Sequence, residues 1–281
     1  RPLPPAEDMQ MFAKRLAGAT VAAFRNHHSF LVECDGFRYR AQHVEKSKFA
    51  LRLLKKRLWP IEKLSYLPEH AKMLMSEDLK ATGGLVIVSG ANGSGKSTTV
   101  GTILGARLSQ FGGYCLTIED PPEEPLAGWH ADNGYCEQME VINGNFEEAI
   151  YKGLRCFPSK ERATLLVGEV RSKHAAAELL GVALAGHLVF TTVHACGPVE
   201  ALQQLLYLAS DEMGERVARE RLADSLRISL NQRLEHDIPQ VSVLKNDTTC
   251  AAIIRDATGD LAGLRDHLNR KPAGPTIKSS L

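Results

Sequence analysis

The residues best suited to chemistry lie in the glycine-rich stretch Gly90-Ala91-Asn92-Gly93-Ser94-Gly95-Lys96-Ser97. This stretch matches the pattern G-x-x-x-x-G-K-[ST] of phosphate-binding loops. Glycine lets such a loop curl until backbone N–H groups and the N-terminus of the next helix face a phosphate. The lysine reaches the β and γ phosphates of ATP, and the serine holds Mg²⁺. We therefore predict that ATP is bound by Asn92, Gly93, Ser94, Gly95, Lys96, Ser97 and Thr98, with Ser97 also a metal ligand.

Acidic residues follow two other apolar runs of the sequence. Glu169 comes after residues 164–167, where enzymes with such a loop place an acid that binds hydrated Mg²⁺ or activates water. Glu119, Asp120 and Glu123 follow another run, and carboxylates this close repel unless a cation or a water to be deprotonated lies among them. A solvated turn is the alternative for each group. We favour Glu169 as the second metal ligand. The general base would then lie in the acidic turn formed by Glu119, Asp120 and Glu123, with Glu123 preferred over Glu119.

These motifs follow apolar runs that alternate with helix-compatible stretches, a pattern typical of a parallel sheet with helices on both faces. The runs cover residues 85–89, 114–118, 164–167 and 188–193. Because the carboxyl ends of parallel strands meet at one edge, where open α/β sheets bind ligands, we expect one site to collect the motifs. His194 ends the fourth run, where it can sense a γ-phosphate by hydrogen bonding; a structural or surface histidine is the alternative.

The first part of the sequence has a different character. Short β-like runs extend from about residue 9 to 44, and Asp35-Gly36 between two of them favours a tight hairpin. Trp59-Pro60 interrupts the basic and apolar stretch that follows. We place a small α+β domain at residues 1–64 and the α/β domain at residues 65–281.

Composition and charge exclude several classes of protein. The sequence has 34 Lys and Arg against 33 Asp and Glu, so no global field draws it to nucleic acid, and we expect no nucleic-acid partner. Its apolar runs are far shorter than the roughly 20 residues that span a bilayer. The six cysteines form no C-x-x-C pair, which predicts reduced thiols, a cytoplasmic location and no zinc. The sequence opens on Arg1-Pro2-Leu3 without a methionine, and we expect the natural chain to begin earlier; the polar tail from Leu264 should be loose.

Together the motifs resemble those of the secretion-superfamily (traffic) ATPases, which include type IV pilus extension and retraction motors and the ATPases of type II and type IV secretion. The resemblance covers about residues 38–234. It rests on four boxes in family order: the phosphate loop at 90–97, an aspartate box at 117–123, a variant second nucleotide motif at 166–171 and a histidine box at 186–194.

This resemblance implies a RecA-like core and a PAS-like N-terminal domain whose Arg38 and Arg52 point at a nucleotide. It further implies Mg²⁺-dependent ATP hydrolysis by a hexameric ring, whose partners are platform proteins at the inner membrane of a bacterium. Glu119, Asp120, Glu123, Glu169, His194, Arg38 and Arg52 are then the catalytic set. Residues 226–234 resemble a late helical segment of the family.

Two departures narrow the assignment. Tyr151 stands where family members carry an arginine, and Phe157-Pro158-Ser159 replaces an acidic triplet, so that segment receives no role. The four-cysteine zinc element of the pilus-extension and type II secretion branch is absent, which leaves the retraction-like and type IV secretion branches.

The favoured function is a motor that couples ATP hydrolysis to domain movement in type IV secretion, conjugation or pilus dynamics. A helicase-like nucleic-acid motor is one alternative, although no basic stripe interleaved with aromatics is present and aromatics make up only 6% of the chain. The other alternative is a nucleotide-dependent assembly switch that hydrolyses ATP poorly.

Overall fold

A computed structural model of the chain describes residues 6–25, 28–64, 68–142, 144–158, 162–236 and 238–268. The chain divides into two units, the first formed by Arg1–Ala81 with Ser97–Glu169 and the second by Thr82–Lys96 with Val170–Leu281. The predicted domain boundary after residue 64 adjoins residues 65–67, which lie outside the described part, as does Ser159 of the departing segment.

The described residues form helices and strands along the whole of their length. In chain order they are α1 (Ala6–Ala23), β1 (Ser29–Cys34), β2 (Phe37–Glu45), β3 (Lys48–Leu53), a 3₁₀ helix (Ile61–Leu64), α2 (Pro68–Leu74), α3 (Glu77–Thr82), β4 (Gly84–Ser89), α4 (Lys96–Phe111), β5 (Gly113–Glu119), β6 (Gly128–His130), β7 (Gly134–Glu140), α5 (Phe146–Leu154), β8 (Thr164–Val167), α6 (Lys173–Leu184), β9 (Leu188–Val193), α7 (Pro198–Met213), α8 (Glu215–Ser225), β10 (Leu226–Glu235), β11 (Ile238–Lys245), α9 (Thr248–Arg255) and a second 3₁₀ helix (Leu261–His267).

The N-terminal part of the first unit is a helix packed on a three-stranded antiparallel sheet of order β1-β2-β3. The hairpin predicted at Asp35-Gly36 is confirmed, and both turn residues have positive φ, 51° and 71°, as a tight hairpin turn requires. The expectation of β-like runs from residue 9 was wrong for α1. This helix lays its partly buried side chains on the core residues of the sheet, Phe30, Val32, Cys34, Tyr39 and Ala41.

The rest of the first unit contributes four strands in the order β8-β5-β7-β6. Strand β5 pairs in parallel with β8 and β7, and only the short β6 runs antiparallel to its neighbour in this group. Leu116, Ile118 and Leu165 are fully buried, because these parallel strands are covered on both faces. The predicted runs at 114–118 and 164–167 are therefore strands of a parallel arrangement, as expected.

The second unit contributes four strands in the order β11-β10-β4-β9. Strand β4 pairs in parallel with β9 and β10, and β11 closes this group as an antiparallel hairpin with β10. Every residue of β4 and β9 is buried, which fits their continuous apolar sequence. The α/β class with a parallel-rich sheet and a small antiparallel N-terminal sheet is confirmed.

Two local expectations fail in the second unit. Residues 226–234, predicted to be helical, form most of strand β10, because their apolar side chains are buried on a parallel neighbour, β4. The tail expected to be loose from Leu264 begins inside the second 3₁₀ helix, where Leu264 is fully buried, so this expectation was wrong for residues 264–267. Residues 269–281 of the tail lie outside the described part. Across the described residues, no helix has the length and apolar character needed to cross a membrane.

Candidate active site

The phosphate loop of the second unit follows strand β4 directly. Ser89 pairs with Val193 at the ends of β4 and β9, and the Gly90 N–H donates to the Val193 carbonyl at 3.2 Å. Gly90, Gly93 and Gly95 have φ values of +150°, +76° and +88°, conformations that side chains with a Cβ rarely adopt. The loop therefore bends back at three glycines before α4 begins at Lys96.

Lys96 is anchored on its own loop. Its Nζ donates to the carbonyl oxygens of Gly90 and Ala91, each at 2.9 Å, and lies 3.4 Å from His194 Nδ1. The lysine is only 7% exposed, whereas His194 is exposed. The structure thus brings together two predicted site residues, Lys96 at the start of α4 and His194 directly after β9.

The interior of the loop fits a phosphate group. Ser94 Oγ is buried without a hydrogen-bond partner, which is costly unless an anion or a polar group accepts from it. A Cβ at Gly90 would lie 2.1 Å from the Gln232 carbonyl oxygen and 2.7 Å from Ser94 Oγ, so the glycine is required by close approach. Gln232 supports the loop from β10, because its Nε2 donates to the Ser94 carbonyl. Asn92 and Gly93 are exposed at the tip of the loop.

In the first unit, the first turn of α4 carries Ser97 and Thr98. Ser97 is exposed, and Thr98 Oγ1 donates to Glu124 Oε1 at 3.0 Å. Lys55 Nζ donates to the same carboxylate oxygen at 3.0 Å and also to Thr98 Oγ1. Glu124 is only 6% exposed, and its Oε2 is a buried oxygen without a hydrogen-bond partner. The residue after the predicted Glu123 therefore reaches the phosphate-loop helix, together with a lysine from the N-terminal part.

The ends of β5 and β8 place further acids at one edge of the first unit. Ile118 pairs with Val167, the Gly168 N–H donates to the Ile118 carbonyl at 2.8 Å, and a Cβ on Gly168 would lie 3.2 Å from Glu119 Cγ. Glu119 and the half-buried Glu169 thus follow neighbouring strands at the same edge, as parallel pairing predicts. Asp120, next along the chain, is exposed.

Glu119 is buried and titrates unusually. Burial is the main cause that raises the pKa of this carboxyl, the charges of Glu123 and Glu124 add to the rise, and a hydrogen bond from Gln138 opposes it, so that the net pKa is about 7. Gln138 Nε2 donates to Glu119 Oε1 at 3.2 Å and to the Glu124 carbonyl at 3.1 Å. A carboxyl with a pKa near neutrality can both take and release a proton under ordinary conditions.

Three arginines of the N-terminal sheet face the acidic turn. Arg40 and Arg52 are register partners on β2 and β3, and both guanidinium groups pair with Glu123 Oε1, that of Arg40 at 2.6 Å. Arg38, two residues before Arg40 on the same face, donates to the Pro122 carbonyl at 3.0 Å. The predicted Arg38 and Arg52 therefore contact the aspartate box directly, and Glu123 is held by two cations.

Four residues that make these contacts were not identified as site residues from the sequence. They are Arg40, Lys55, Glu124 and Gln138. Arg40 had a readable signal, because the period of two along a strand places it on the face that carries Arg38. Glu124 also had a signal, because it directly follows the predicted site residue Glu123. Lys55 and Gln138 become visible only through tertiary contacts, since their neighbours are distant in sequence.

Comparison with known proteins identifies the family of the chain and solved structures with a similar fold. The family model described as "Type II/IV secretion system protein" matches residues 37–258. The "Uncharacterized protein YggR" of Escherichia coli is 34% identical over 67% of this chain and 54% of its own length. A "Type II secretion system protein E" of Pseudomonas aeruginosa is 28% identical over 68% of this chain and 37% of its own. The chain thus spans about half, or less, of the length of these curated relatives.

A solved structure, the "Pilus Retraction Motor PilT and Bound ADP", superposes with a TM-score of 0.69 and 23% identity. The match covers 90% of this chain and 74% of that one. At this identity the likeness concerns the fold alone, and it agrees with the RecA-like arrangement expected from the sequence.

Proposed function

The chain belongs to the family of type II/IV secretion system proteins, and from this premise we propose that it is an ATP-hydrolysing motor of a secretion or pilus system. The α/β fold, the order of the motifs and the three arginines of the N-terminal sheet, Arg38, Arg40 and Arg52, agree with this proposal. Residues 1–64 would form the PAS-like domain and residues 65–281 the RecA-like ATPase domain with its helical C-terminal region.

The observation that carries the proposal is the buried lysine of the phosphate loop. Lys96 lies on two loop carbonyls beside His194, in a loop whose Ser94 hydroxyl has no hydrogen-bond partner. Backbone donors at a helix N-terminus, a lysine charge and a buried hydroxyl together are the donor set that nucleotide phosphates need. Asn92, Gly93 and Gly95 shape the loop around these donors.

The chain also offers oxygen donors suited to Mg²⁺. The exposed Ser97 hydroxyl and the half-buried Glu169 carboxylate would hold the ion, with Thr98 and Glu124 orienting the first turn of α4. When bound, the ion would withdraw negative charge from the phosphate oxygens. His194, at the end of β9, would hydrogen-bond the terminal phosphate.

Glu123 is our preferred general base, with Glu119 and Asp120 as its neighbours in the box. In the present arrangement the guanidinium groups of Arg40 and Arg52 both pair with Glu123 Oε1, and these ion pairs occupy the oxygen that would approach a water. Release of the two arginines would make this oxygen available and free their positive charge for the phosphates. Movement of the N-terminal domain would in this way be tied to hydrolysis, which is how a motor converts chemistry into motion.

We further infer that the working form is a hexameric ring at the cytoplasmic face of a bacterial inner membrane, with membrane platform proteins as partners. We keep the retraction-like and type IV secretion branches, which the sequence motifs favour, as the proposed system.

Steady-state ATPase measurements test the proposal. We expect Mg²⁺-dependent turnover that DNA does not stimulate. Stimulation by DNA of tenfold or more would favour the helicase-like alternative, and tight ATP binding without turnover would favour the assembly switch.

A further inference from the structure

Asp247, Cys250 and His267 form a cluster at the C-terminal end of the second unit. One carboxylate oxygen, the Sγ atom and one imidazole nitrogen all lie within 4.8 Å of one another. Asp247 caps the N-terminus of α9, where its Oδ1 accepts from the Cys250 N–H at 2.8 Å, and His267 ends the second 3₁₀ helix. Residues from two separate elements therefore converge on one point.

The histidine of this cluster is buried, and one of its ring nitrogens has no hydrogen-bond partner. His267 is only 9% exposed, and its Nδ1 atom is buried with no hydrogen-bond partner. A buried imidazole nitrogen without a partner is rare, because it forfeits its bonds to water. Cys250 is completely buried, while Asp247 opens to solvent. The cap contact at α9 accounts for Asp247, but it leaves the orientation of His267 unexplained.

We propose that Asp247, Cys250 and His267 bind a divalent transition metal of the zinc class. Thiolate, imidazole and carboxylate are the three side-chain ligand types of zinc, whereas Mg²⁺ and Ca²⁺ prefer oxygen alone. Metal–ligand bonds of about 2.0–2.3 Å place the ligand atoms about 3.5 Å apart, so a modest contraction of the cluster completes the geometry. The exposed side, next to Asp247, leaves the fourth position to water.

Such a site would tie the first turn of α9 to the 3₁₀ helix that follows α9 in the chain. The ion joins two short elements separated by residues 256–260, neither of which is long enough to be stable alone. The cysteine spacing alone predicted no zinc, since that argument sought paired cysteines; here one cysteine is joined by two residues of other types. This site lies apart from the phosphate loop in sequence and is independent of the proposed ATPase activity.

Co²⁺ and Zn²⁺ binding to the whole chain tests the proposal. To exclude the two exposed thiols, Cys156 and Cys196, all measurements use a Cys156→Ser, Cys196→Ser background without nucleotide. We expect one equivalent of Co²⁺ to give the intense d–d bands of a tetrahedral site and a thiolate-to-cobalt charge-transfer band. Zn²⁺ should displace it and raise the melting temperature.

Variants identify the ligands. Cys250→Ala should abolish the charge-transfer band, and His267→Gln should weaken Zn²⁺ binding by about a hundredfold or more. Because either buried substitution can perturb folding, Asp247→Asn provides a second test: asparagine still caps α9 but lacks the charge, so folding persists while Zn²⁺ affinity falls about tenfold or more. Cys136→Ala, at a buried thiol outside the cluster, is the matched control.

Unchanged Zn²⁺ affinity in Asp247→Asn and His267→Gln would overturn the proposal. So would a Co²⁺ spectrum without a thiolate band in the folded background protein.

Discussion

Lys96 is the residue on which nucleotide chemistry depends most directly. Replacing it by alanine removes the charge that Gly90 and Ala91 now hold in place. We expect Lys96→Ala to abolish measurable hydrolysis and to weaken ATP binding at least tenfold, because the phosphate charge loses its main protein cation. Lys80→Ala, at an exposed lysine that donates to the Phe111 carbonyl, is the control. Wild-type turnover in Lys96→Ala would refute the phosphate-loop assignment.

The acids can be assigned by isosteric changes. Glu169→Gln should leave ATP binding largely intact and reduce kcat about a hundredfold, since an amide neither neutralises Mg²⁺ nor takes a proton. If Glu123 is the base, Glu123→Gln should reduce kcat at least as strongly at saturating Mg²⁺, while Glu169→Gln should be partly rescued by raising Mg²⁺. A larger loss from Glu119→Gln than from Glu123→Gln would move the base to Glu119.

The raised pKa of Glu119 predicts a specific pH dependence of stability. This group gives up its proton near pH 4.5 in the unfolded chain and at about 7 in the folded one. Between these values the folded state holds more protons, so its stabilising contribution is complete below pH 4.5 and is lost as pH rises to about 7. The loss amounts to at most about 3 kcal/mol.

Comparison of wild type with Glu119→Gln isolates this effect, because glutamine binds no proton. The unfolding free energy of wild type minus that of the variant should fall across the window and stay constant on either side of it. Urea denaturation over this pH range measures the difference, with the exposed Asp132→Asn as a control. A difference that is flat with pH would show that Glu119 titrates normally.

At the scale of elements, the phosphate loop depends on close packing against β10. Gly90→Ala would place a Cβ 2.1 Å from the Gln232 carbonyl at a φ of +150°. We expect a loss of about 2–4 kcal/mol in unfolding free energy and at least tenfold in nucleotide affinity. Gly93→Ala is the matched control: its φ is +76° but nothing lies within 4 Å, so only the backbone cost of about 1 kcal/mol applies. Equal effects of the two changes would contradict this packing argument.

The elements that the sequence predicts best are those with strong local signals. The four apolar runs became β4, β5, β8 and β9, and the Asp35-Gly36 turn became a hairpin, because uniform burial and turn chemistry are both local properties. Helix α1 was missed although Phe12, Leu16, Ala19 and Ala23 recur at the spacing of three and four that marks a helix face.

Features that depend on tertiary contacts could not be predicted from the local sequence. The segment 226–234 is a strand because β4 lies beside it, and residue type alone did not reveal that neighbour. In the candidate site, the loop lysine and the acids at strand ends could be named from the sequence. The pairing of Glu123 with Arg40 could not, because the two residues are 83 positions apart and only the folded N-terminal sheet brings them together.

At the scale of the whole molecule, the remaining question is where the arginines act. Strand ends supply mainly negative charge, so phosphoryl transfer needs cations beyond Lys96 and Mg²⁺. Arg52 now pairs with Glu123 of its own chain, and it is exposed enough to leave that partner. In a ring, each arginine could contact the nucleotide of a neighbouring subunit. In a monomer, it could contact only the nucleotide bound by its own chain.

Mixed rings decide between these destinations. Arg52→Ala subunits and Glu169→Gln subunits, each inactive alone, should recover part of the wild-type ATPase activity when mixed if the arginine acts across a subunit boundary. A site with intact Glu169 then receives Arg52 from the other subunit type. Mixing Arg52→Ala with Lys96→Ala should rescue in the same way, whereas Glu169→Gln with Lys96→Ala should not, since both changes disable the same site. Absence of rescue in verified mixed hexamers would place Arg52 in its own chain's site, and full activity in a monomeric preparation would remove the need for a ring.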